Sequence, residues 1–286
     1  MSTPACGSCG GAWSDDPEGS ATPRLVWVKD DYRIVECPHC GVLATSLPAA
    51  FDPAAVYSRD YFQGGDAVGY ADYLGSEAAL AAEYAARLAV VRSHVAGGRL
   101  LELGCATGGF LAAARACFEV QGLDVSAFAV EEARKKGLDA AVGSLEAAEL
   151  APFFDAIVAF DTIEHVTEPR RVAARAFELL RPGGCLVLST GDAGSLLARL
   201  SGRRWRLLTP PHHLWFYHRR SMKRLLRGAG FELAGISYPS RLVPLSLAWY
   251  QLFRGRLGRL PAWLGDRVLR VNLFDTMTVV ARRPTT

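Results

Sequence analysis

Three groups of residues in this chain have the types and spacing to do chemistry. The first is two Cys-x2-Cys pairs, Cys6-Gly-Ser-Cys9 and Cys37-Pro-His-Cys40, each followed by glycine. Each pair puts two thiolates on one tight turn, and two such turns supply the four sulfurs of a tetrahedral site that zinc favours; a redox dithiol is the competing chemistry. A closed four-sulfur site leaves no coordination position for a substrate, so its expected role is in folding. His39, inside the second pair, reads as a surface residue. The second group is the run from Leu100 to Phe110, an apolar stretch that breaks at Gly104 and turns through Gly108 and Gly109. Glycines allow close approach of backbone to a ligand, and the helix start beyond them presents free N–H groups. Gly104, Ala106 and Gly109 satisfy a G-x-A-x-x-G dinucleotide pattern, and Asp124 stands where a carboxylate can accept both hydroxyls of a ribose. A nicotinamide or another adenosine-bearing cofactor fits equally at this point. The third group is Asp161-x-x-Glu164-His165, joined by His212 and His213. His165 can take a proton near neutral pH with Glu164 orienting it, the same carboxylates and imidazoles can hold a divalent cation, or His165 can simply bond to backbone.

Something must carry these groups to one place. From residue 99 onward, strand-like runs at 99–103, 119–124, 140–142, 154–160 and 185–190 alternate with helices that begin near Gly109, Ser126 and Pro169. Ser126 suits an N-cap, Gly137 a C-terminal cap and Pro169 a first helical turn. Such alternation predicts a parallel sheet covered by helices on both faces, with ligands at the carboxyl edge of its strands, where the glycine turn, Asp124 and Glu164-His165 all fall. Upstream, residues 25–35 are strand-prone and residues 77–95 read as a helix ended by Gly97-Gly98. Downstream, the sequence predicts a loop and short helix over 191–211, a helix at 219–227, and strands at 231–238 and 276–281. Residues 241–271 read as one or two amphipathic helices.

Composition sets the frame. With 286 residues, 50% apolar and 21% charged, the chain has room for one sizeable α/β core plus a small appendage, and disorder is not indicated. No run of eighteen uncharged apolar residues is present, and the opening MSTPACGSCGG lacks a secretory pattern, which points to the cytosol. Cys105, Cys117 and Cys185 lie in apolar segments, as reduced thiols do. The net charge of +3 hides an asymmetry: residues 1–198 carry 15 Lys+Arg against 26 Asp+Glu, and residues 199–286 carry 17 against 3. The basic part implies an anionic partner such as a phosphate-bearing substrate, a lipid surface or nucleic acid; a solvated face opposing the acidic half is the alternative. Trp249, Tyr250, Phe253 and Trp263 alternate there with arginines, suited to peripheral contact with an anionic inner-membrane face or to capping a pocket.

In order along the chain, Glu102-Leu-Gly104-Cys-Ala-Thr-Gly108, Gly122-Leu-Asp124-Val-Ser126, Phe154-Asp155 through Glu164-His165-Val166, and Leu180-Arg-Pro-Gly-Gly184 resemble the first, second and fourth motifs and the turn before the fifth strand of class I (Rossmann-like) S-adenosylmethionine-dependent methyltransferases. Within that class the chain is similar to bacterial methyltransferases bearing an N-terminal four-cysteine zinc ribbon, associated with polysaccharide and natural-product sugars. The resemblance implies an α/β, mostly parallel seven-stranded sheet with an antiparallel last strand. It divides the chain into a zinc ribbon at 1–47, a lid and linker with N-terminal helices at 48–96, and a methyltransferase domain at 97–286. It implies S-adenosyl-L-methionine and structural zinc as cofactors. Glu102, Gly104 and Gly108 would face the methionine end and Asp124 the ribose, with Ala106, Ser144 and Asp161 completing the cofactor site. Ala106 departs from the usual middle glycine, and Ser144 stands where many members carry an aspartate. His165 matches the histidine thought to be the base in related sugar C-methyltransferases. Tyr57, Tyr61 and Phe62 match a tyrosine-rich segment that is either lid or core, and Trp205, His213, Trp215 and Tyr217 divide between acceptor pocket and packing. The implied acceptor is a small molecule or glycan precursor, favouring a nucleotide- or lipid-linked sugar. RNA methylation and a non-catalytic zinc-ribbon binding protein are the alternatives.

Overall fold

The computed structural model describes residues 5–14, 21–47, 77–244 and 268–285. Tyr57, Tyr61, Phe62 and the aromatic–arginine stretch over 245–267 lie outside the described residues. The strand-prone segment after the first cysteine pair folds as a hairpin of β1 (Arg24–Lys29) and β2 (Tyr32–Glu36). Its turn holds Asp30 and Asp31 at φ of 50° and 64°, the left-handed pair that matches strand twist in a two-residue hairpin loop. A third strand, β3 (Leu43–Ser46), follows the second cysteine pair and pairs antiparallel with β2.

Helix α1 (Glu77–Arg92) leads into the alternating part: β4 (Gly98–Leu103), α2 (Gly109–Ala114), β5 (Phe118–Asp124), α3 (Ala127–Lys135) and β6 (Ala140–Val142). Then come β7 (Phe154–Phe160), α4 (Pro169–Leu179), β8 (Leu180–Gly191) and the short α5 (Leu196–Ser201). The caps act as the sequence predicts: the Ser126 hydroxyl accepts from the Ala129 amide, Gly137 sits at φ 71° beyond α3, and Pro169 opens α4. All seven residues of β7 are buried. Leu101, Leu103, Ile157, Ala159, Leu186 and Leu188 enter one apolar layer, and Leu100, Ala156, Val158, Cys185 and Val187 the other. This period of two on a sheet covered on both faces explains why its strands read as unbroken apolar runs.

The chain continues through β9 (Trp215–Phe216), α6 (Arg219–Gly228), β10 (Glu232–Ser237), β11 (Arg241–Pro244), β12 (Val268–Val271) and β13 (Thr276–Arg282). The main sheet has the order β10-β13-β8-β7-β4-β5-β6, parallel from β8 to β6, with β13 antiparallel to both of its neighbours. Seven strands and an antiparallel last strand are as expected.

Two local expectations are corrected, and one strand appears that was not expected. The ends of the 241–271 stretch, expected as helix, are β11 and β12, which pair antiparallel; backbone pairing outweighs the amphipathic period there. The Arg-Pro-Gly-Gly turn lies within β8 rather than before it, looping out where the register with β7 jumps from Leu180 to Cys185. And β9 joins the ribbon, giving a second sheet of order β1-β2-β3-β9.

Candidate active site

The donor half is built at the ends of β4, β5 and β6. The chain leaves β4 through Gly104, at φ 68°, where an added Cβ would meet the Thr162 hydroxyl at 2.5 Å. Ala106 follows at φ 47°, a left-handed position that costs a residue with Cβ about 1 kcal/mol relative to glycine. The methyl group that Ala106 adds in place of the usual middle glycine is therefore accommodated with strain. Gly108, at φ 81°, starts α2 and leaves no room for a side chain against Leu138. The Asp124 carboxylate ends β5 and ties the turn together. Its Oδ2 accepts from the Ala106 amide at 2.8 Å and its Oδ1 from the Ser126 amide at 2.9 Å. Burial pushes this carboxyl upward, opposed by those same amides. Each oxygen keeps a second lone pair, enough for a diol. The Gly143 amide bonds to the Asp124 carbonyl at 2.9 Å, which brings Ser144 beside the turn.

Glu102 supplies a further test of fit. Its side chain is 5% exposed and its Oε2 accepts no hydrogen bond. Burial holds its carboxyl well above the usual carboxylate range, countered by the Arg87 cation and reinforced by Asp124. An orphaned, buried carboxylate oxygen beside a glycine turn calls for a cationic or N–H-bearing ligand. The amino group of an adenosyl amino acid meets that demand, as its ribose meets the lone pairs of Asp124.

The second half lies past β7. Asp161 sits at φ 51°, a strained position of the kind that clusters at functional sites. Its Oδ1 accepts from the Ser189 hydroxyl at 3.0 Å and its Oδ2 from Arg87 at 2.7 Å. The Arg87 guanidinium also stacks 4.7 Å from the Phe160 ring centroid. Arg87 and Thr162 were not singled out from sequence; Arg87, 19% exposed in the structure, is one of two arginines in an Ala-rich helix and carries no distinguishing signal in the sequence. Thr162 places its hydroxyl between the carbonyls of Leu103 and Phe160, so it locks the β4 and β7 ends together.

Glu164 is 3% exposed, and its carbonyl accepts from the amides of Leu214 and Trp215 at 2.8 and 3.1 Å. That pair of bonds brings His213 to His165: the two rings pack edge to face, centroids 4.7 Å apart. His165 Nδ1 lies 2.7 Å from the His212 carbonyl, and His213 Nδ1 lies 2.7 Å from the Leu207 carbonyl. Burial lowers both imidazoles, His213 to about 3 with His165 adding to the depression, while the His212 carbonyl opposes the shift at His165. Both rings are therefore neutral at pH 7; His213 is left a weak base, and His165 is the better placed of the two to take a proton. One ligating atom each from Glu164, His165 and His213 lies within 4.8 Å of the others, so this group can also hold an ion. Of the set expected from sequence, His212 is represented by its carbonyl and Asp161 is engaged by Arg87 and Ser189.

Trp205, Trp215 and Tyr217 go to packing instead of an acceptor pocket. The Trp205 indole N–H donates to the buried Asp275 carboxylate at 3.1 Å, and its ring packs with Ile34, Leu208 and Phe216. The Trp215 N–H donates to the Val166 carbonyl at 2.8 Å, and Tyr217 is fully enclosed. The two indoles, with their N–H groups already satisfied inside the fold, and the enclosed Tyr217 ring have no exposed edge left for a ligand.

At the N-terminus, the four cysteine sulfurs lie within 4.8 Å of one another, with Cys6–Cys40 and Cys9–Cys37 separations of 3.9 Å. A tetrahedral zinc with bonds of about 2.3 Å has sulfur–sulfur edges of about 3.8 Å. The two knuckles share one backbone form: Gly10 and Gly41 stand at φ 73° and 72°, and their amides bond to the carbonyls of Cys6 and Cys37 at 2.7 and 2.8 Å. Hydrogen bonding from Cys40 and Cys6 holds the Cys37 thiol far below its ordinary range, while the Cys6 thiol is pushed up to about 12, chiefly by Cys37. Such a group ionises at one sulfur and needs a cation to ionise at the rest. His39 is outside it, with Nε2 2.8 Å from the Ala12 carbonyl.

A methyltransferase-domain family model matches residues 75–235. A ubiquinone biosynthesis O-methyltransferase of Xanthomonas axonopodis pv. citri is 33% identical over 162 residues, covering 51% of this chain and 67% of that protein. The mitochondrial ubiquinone biosynthesis O-methyltransferase of Schizosaccharomyces pombe is 35% identical over 120 residues, covering 38% of this chain and 43% of that one. The chain thus spans less than half the length of the yeast relative. A solved chain from a Haloferax volcanii complex between a methyltransferase and its activator superposes with a TM-score of 0.53 at 14% identity, covering 79% of this chain and 98% of that one, which shows a shared fold. With the glycine turn, the orphaned Glu102 oxygen and the Asp124 cradle together at the ends of β4 and β5, the chain belongs to the methyltransferase-domain family and is an S-adenosylmethionine-dependent methyltransferase.

Proposed function

We propose that the chain methylates a hydroxyl oxygen of a small, anionic acceptor, with a nucleotide- or lipid-linked sugar as the favoured class. The observation that carries the chemistry is the pair of half-buried, neutral imidazoles, His165 and His213, packed edge to face just past the end of β7. When bound, S-adenosylmethionine supplies a methyl group on a sulfonium, ready for in-line transfer to a nucleophile. Glu102, Gly104, Ala106 and Gly108 hold its methionine end, Asp124 its ribose and Ser144 its base side, while Asp161, fixed by Arg87 and Ser189, walls the crevice. His165 takes the proton from the acceptor hydroxyl and Glu164 orients it. General-base assistance of this kind is worth roughly 10²–10⁴ in rate. Oxygen as the acceptor atom is supported by the two relatives, both named as O-methyltransferases. The sugar class rests on the ribbon-bearing resemblance and on the cationic residues after 198. A ring hydroxyl of a quinol is the second reading, favoured by what those relatives are named for.

Zinc in the four-cysteine site serves folding. Among the described residues no helix is long and apolar enough to cross a membrane, and the reading places the protein in the cytosol with contact to anionic surfaces through its basic part. Calorimetry with S-adenosylmethionine and NAD is the first test: donor binding is expected for the methyl donor only, weakened at least tenfold in Asp124→Asn. Labelled methyl transfer to pooled nucleotide sugars, catechols and RNA then ranks the acceptors. His165→Ala should keep donor affinity and lose turnover by about 100-fold or more; dinucleotide binding, or full turnover in that variant, would overturn the reading.

A further inference from the structure

The first cysteine knuckle, the ribbon strands and the His213 loop form one continuous structure. Strand β3 pairs with β9, Leu43 opposite Phe216 and Ala44 opposite Trp215. One residue on, the Thr45 amide donates to the Leu214 carbonyl and the Thr45 hydroxyl to the His213 carbonyl, both at 2.8 Å. The same short segment, through the amides of Leu214 and Trp215, holds the Glu164 carbonyl. The knuckles close the arrangement from the other side. The Gly7 carbonyl accepts from the Arg170 amide at 3.0 Å, and a side chain at Gly7 would run into the Trp215 ring at 2.7 Å. At Gly41 it would meet the His218 imidazole, whose ring caps α6 by accepting from the Ser221 amide at 2.9 Å. Cys6, Cys37 and Cys40 belong to the same apolar cluster as Ile163, Trp215 and Tyr217. The hydrogen bonds and the Gly7 and Gly41 contacts all reach residues 163–170 and 213–218, the acceptor half, while the shared apolar cluster also takes in Leu103 and Leu123; the glycine turn and Asp124 are themselves held by β4, β5 and β6.

We infer that the four-cysteine ribbon is a clamp on the acceptor half of the active site, and that Thr45 is its positioning residue for His213. The ribbon fixes the backbone on which His213 meets His165 and Glu164, so loss of its metal disorders acceptor engagement and leaves the donor crevice formed. The identity of that half as the acceptor side rests on the methyltransferase reading; the coupling itself does not. Thr45→Val keeps the shape of a buried side chain and removes one hydrogen bond, while Thr45→Ser keeps the hydroxyl.

Hydrogen exchange and imidazole NMR on the full chain test this, with S-adenosylhomocysteine as the probe of the donor crevice. In Thr45→Val, amide exchange at 213–217 should rise about tenfold, the loss expected for one net hydrogen bond of about 1.4 kcal/mol. The ring resonances of His165 and His213 should move, and Thr45→Ser should restore both. Stripping the ribbon metal with a chelator should raise exchange at 164–166 and 213–217 by more than tenfold. Exchange at 104–109 and 122–126, and affinity for S-adenosylhomocysteine, should stay within twofold in every case. Unchanged exchange and unchanged ring signals in Thr45→Val, or equal loosening of the donor crevice, would overturn the inference. Failure of the unmodified protein to bind S-adenosylhomocysteine would instead count against the methyltransferase reading.

Discussion

The depressed imidazole of His213 makes a quantitative prediction about acid stability. Burial and the neighbouring His165 ring bring His213 from its ordinary value of 6.5 down to about 3 in the folded protein. Between those values the unfolded chain binds a proton that the folded chain does not, so the contribution is complete above pH 6.5 and is lost as the pH falls toward 3. At pH 5 the loss is about 2 kcal/mol relative to pH 8, because the unfolded imidazole is then almost fully protonated and the folded one is still neutral. Urea unfolding of the wild-type chain and of His213→Gln at the two pH values isolates this contribution, since the other titrating groups and the ribbon are common to both. The gap between the two proteins should narrow by about 2 kcal/mol on acidification, a relative shift of the midpoint by about 1 M. A gap that stays constant from pH 8 to pH 5 would show that His213 is not held neutral by its surroundings, and the assignment of this ring to a dry, packed site would fail.

Two further outcomes follow from the turn and the ribbon. Ala106→Gly should raise stability by roughly 0.5–1 kcal/mol by removing a left-handed Cβ, less the entropy regained by the unfolded glycine, and equilibrium unfolding reads it directly; a loss of stability would contradict the backbone geometry at residue 106. Purified protein should carry one zinc per chain by elemental analysis, and Cys37→Ser should lose it together with several kcal/mol of stability, lowering the melting temperature by more than about 5 °C; full metal retention would rule out the four-sulfur site.

Much of this was legible in the sequence because the signals are local. A strand buried on both faces is an unbroken apolar run, as at β7, and the caps at Ser126, Gly137 and Pro169 act within one helical turn. The glycine turn and Asp124 are also near neighbours in the chain, so their convergence could be read from spacing. What escaped depends on partners far along the chain. Two residues of β9 are too few to show any period, and their pairing with β3 has no trace in composition. Trp205 reads equally as pocket aromatic or packing until Asp275, 70 residues later, takes its N–H. Arg87 reads as an ordinary helix cation until Asp161 and Phe160 gather it in.

The β3–β9 ladder also sets an order of events during synthesis. The ribbon strands leave the ribosome well before β9, so their sheet gains its fourth strand only after Phe216 has emerged. Until then β3 presents an open backbone edge, the kind of surface that recruits stray strands. Closing so long a loop is entropically slow, so docking of Trp215 is expected to come late in folding. A nascent chain stalled before residue 215 should accordingly be far more prone to misassociation than the finished protein.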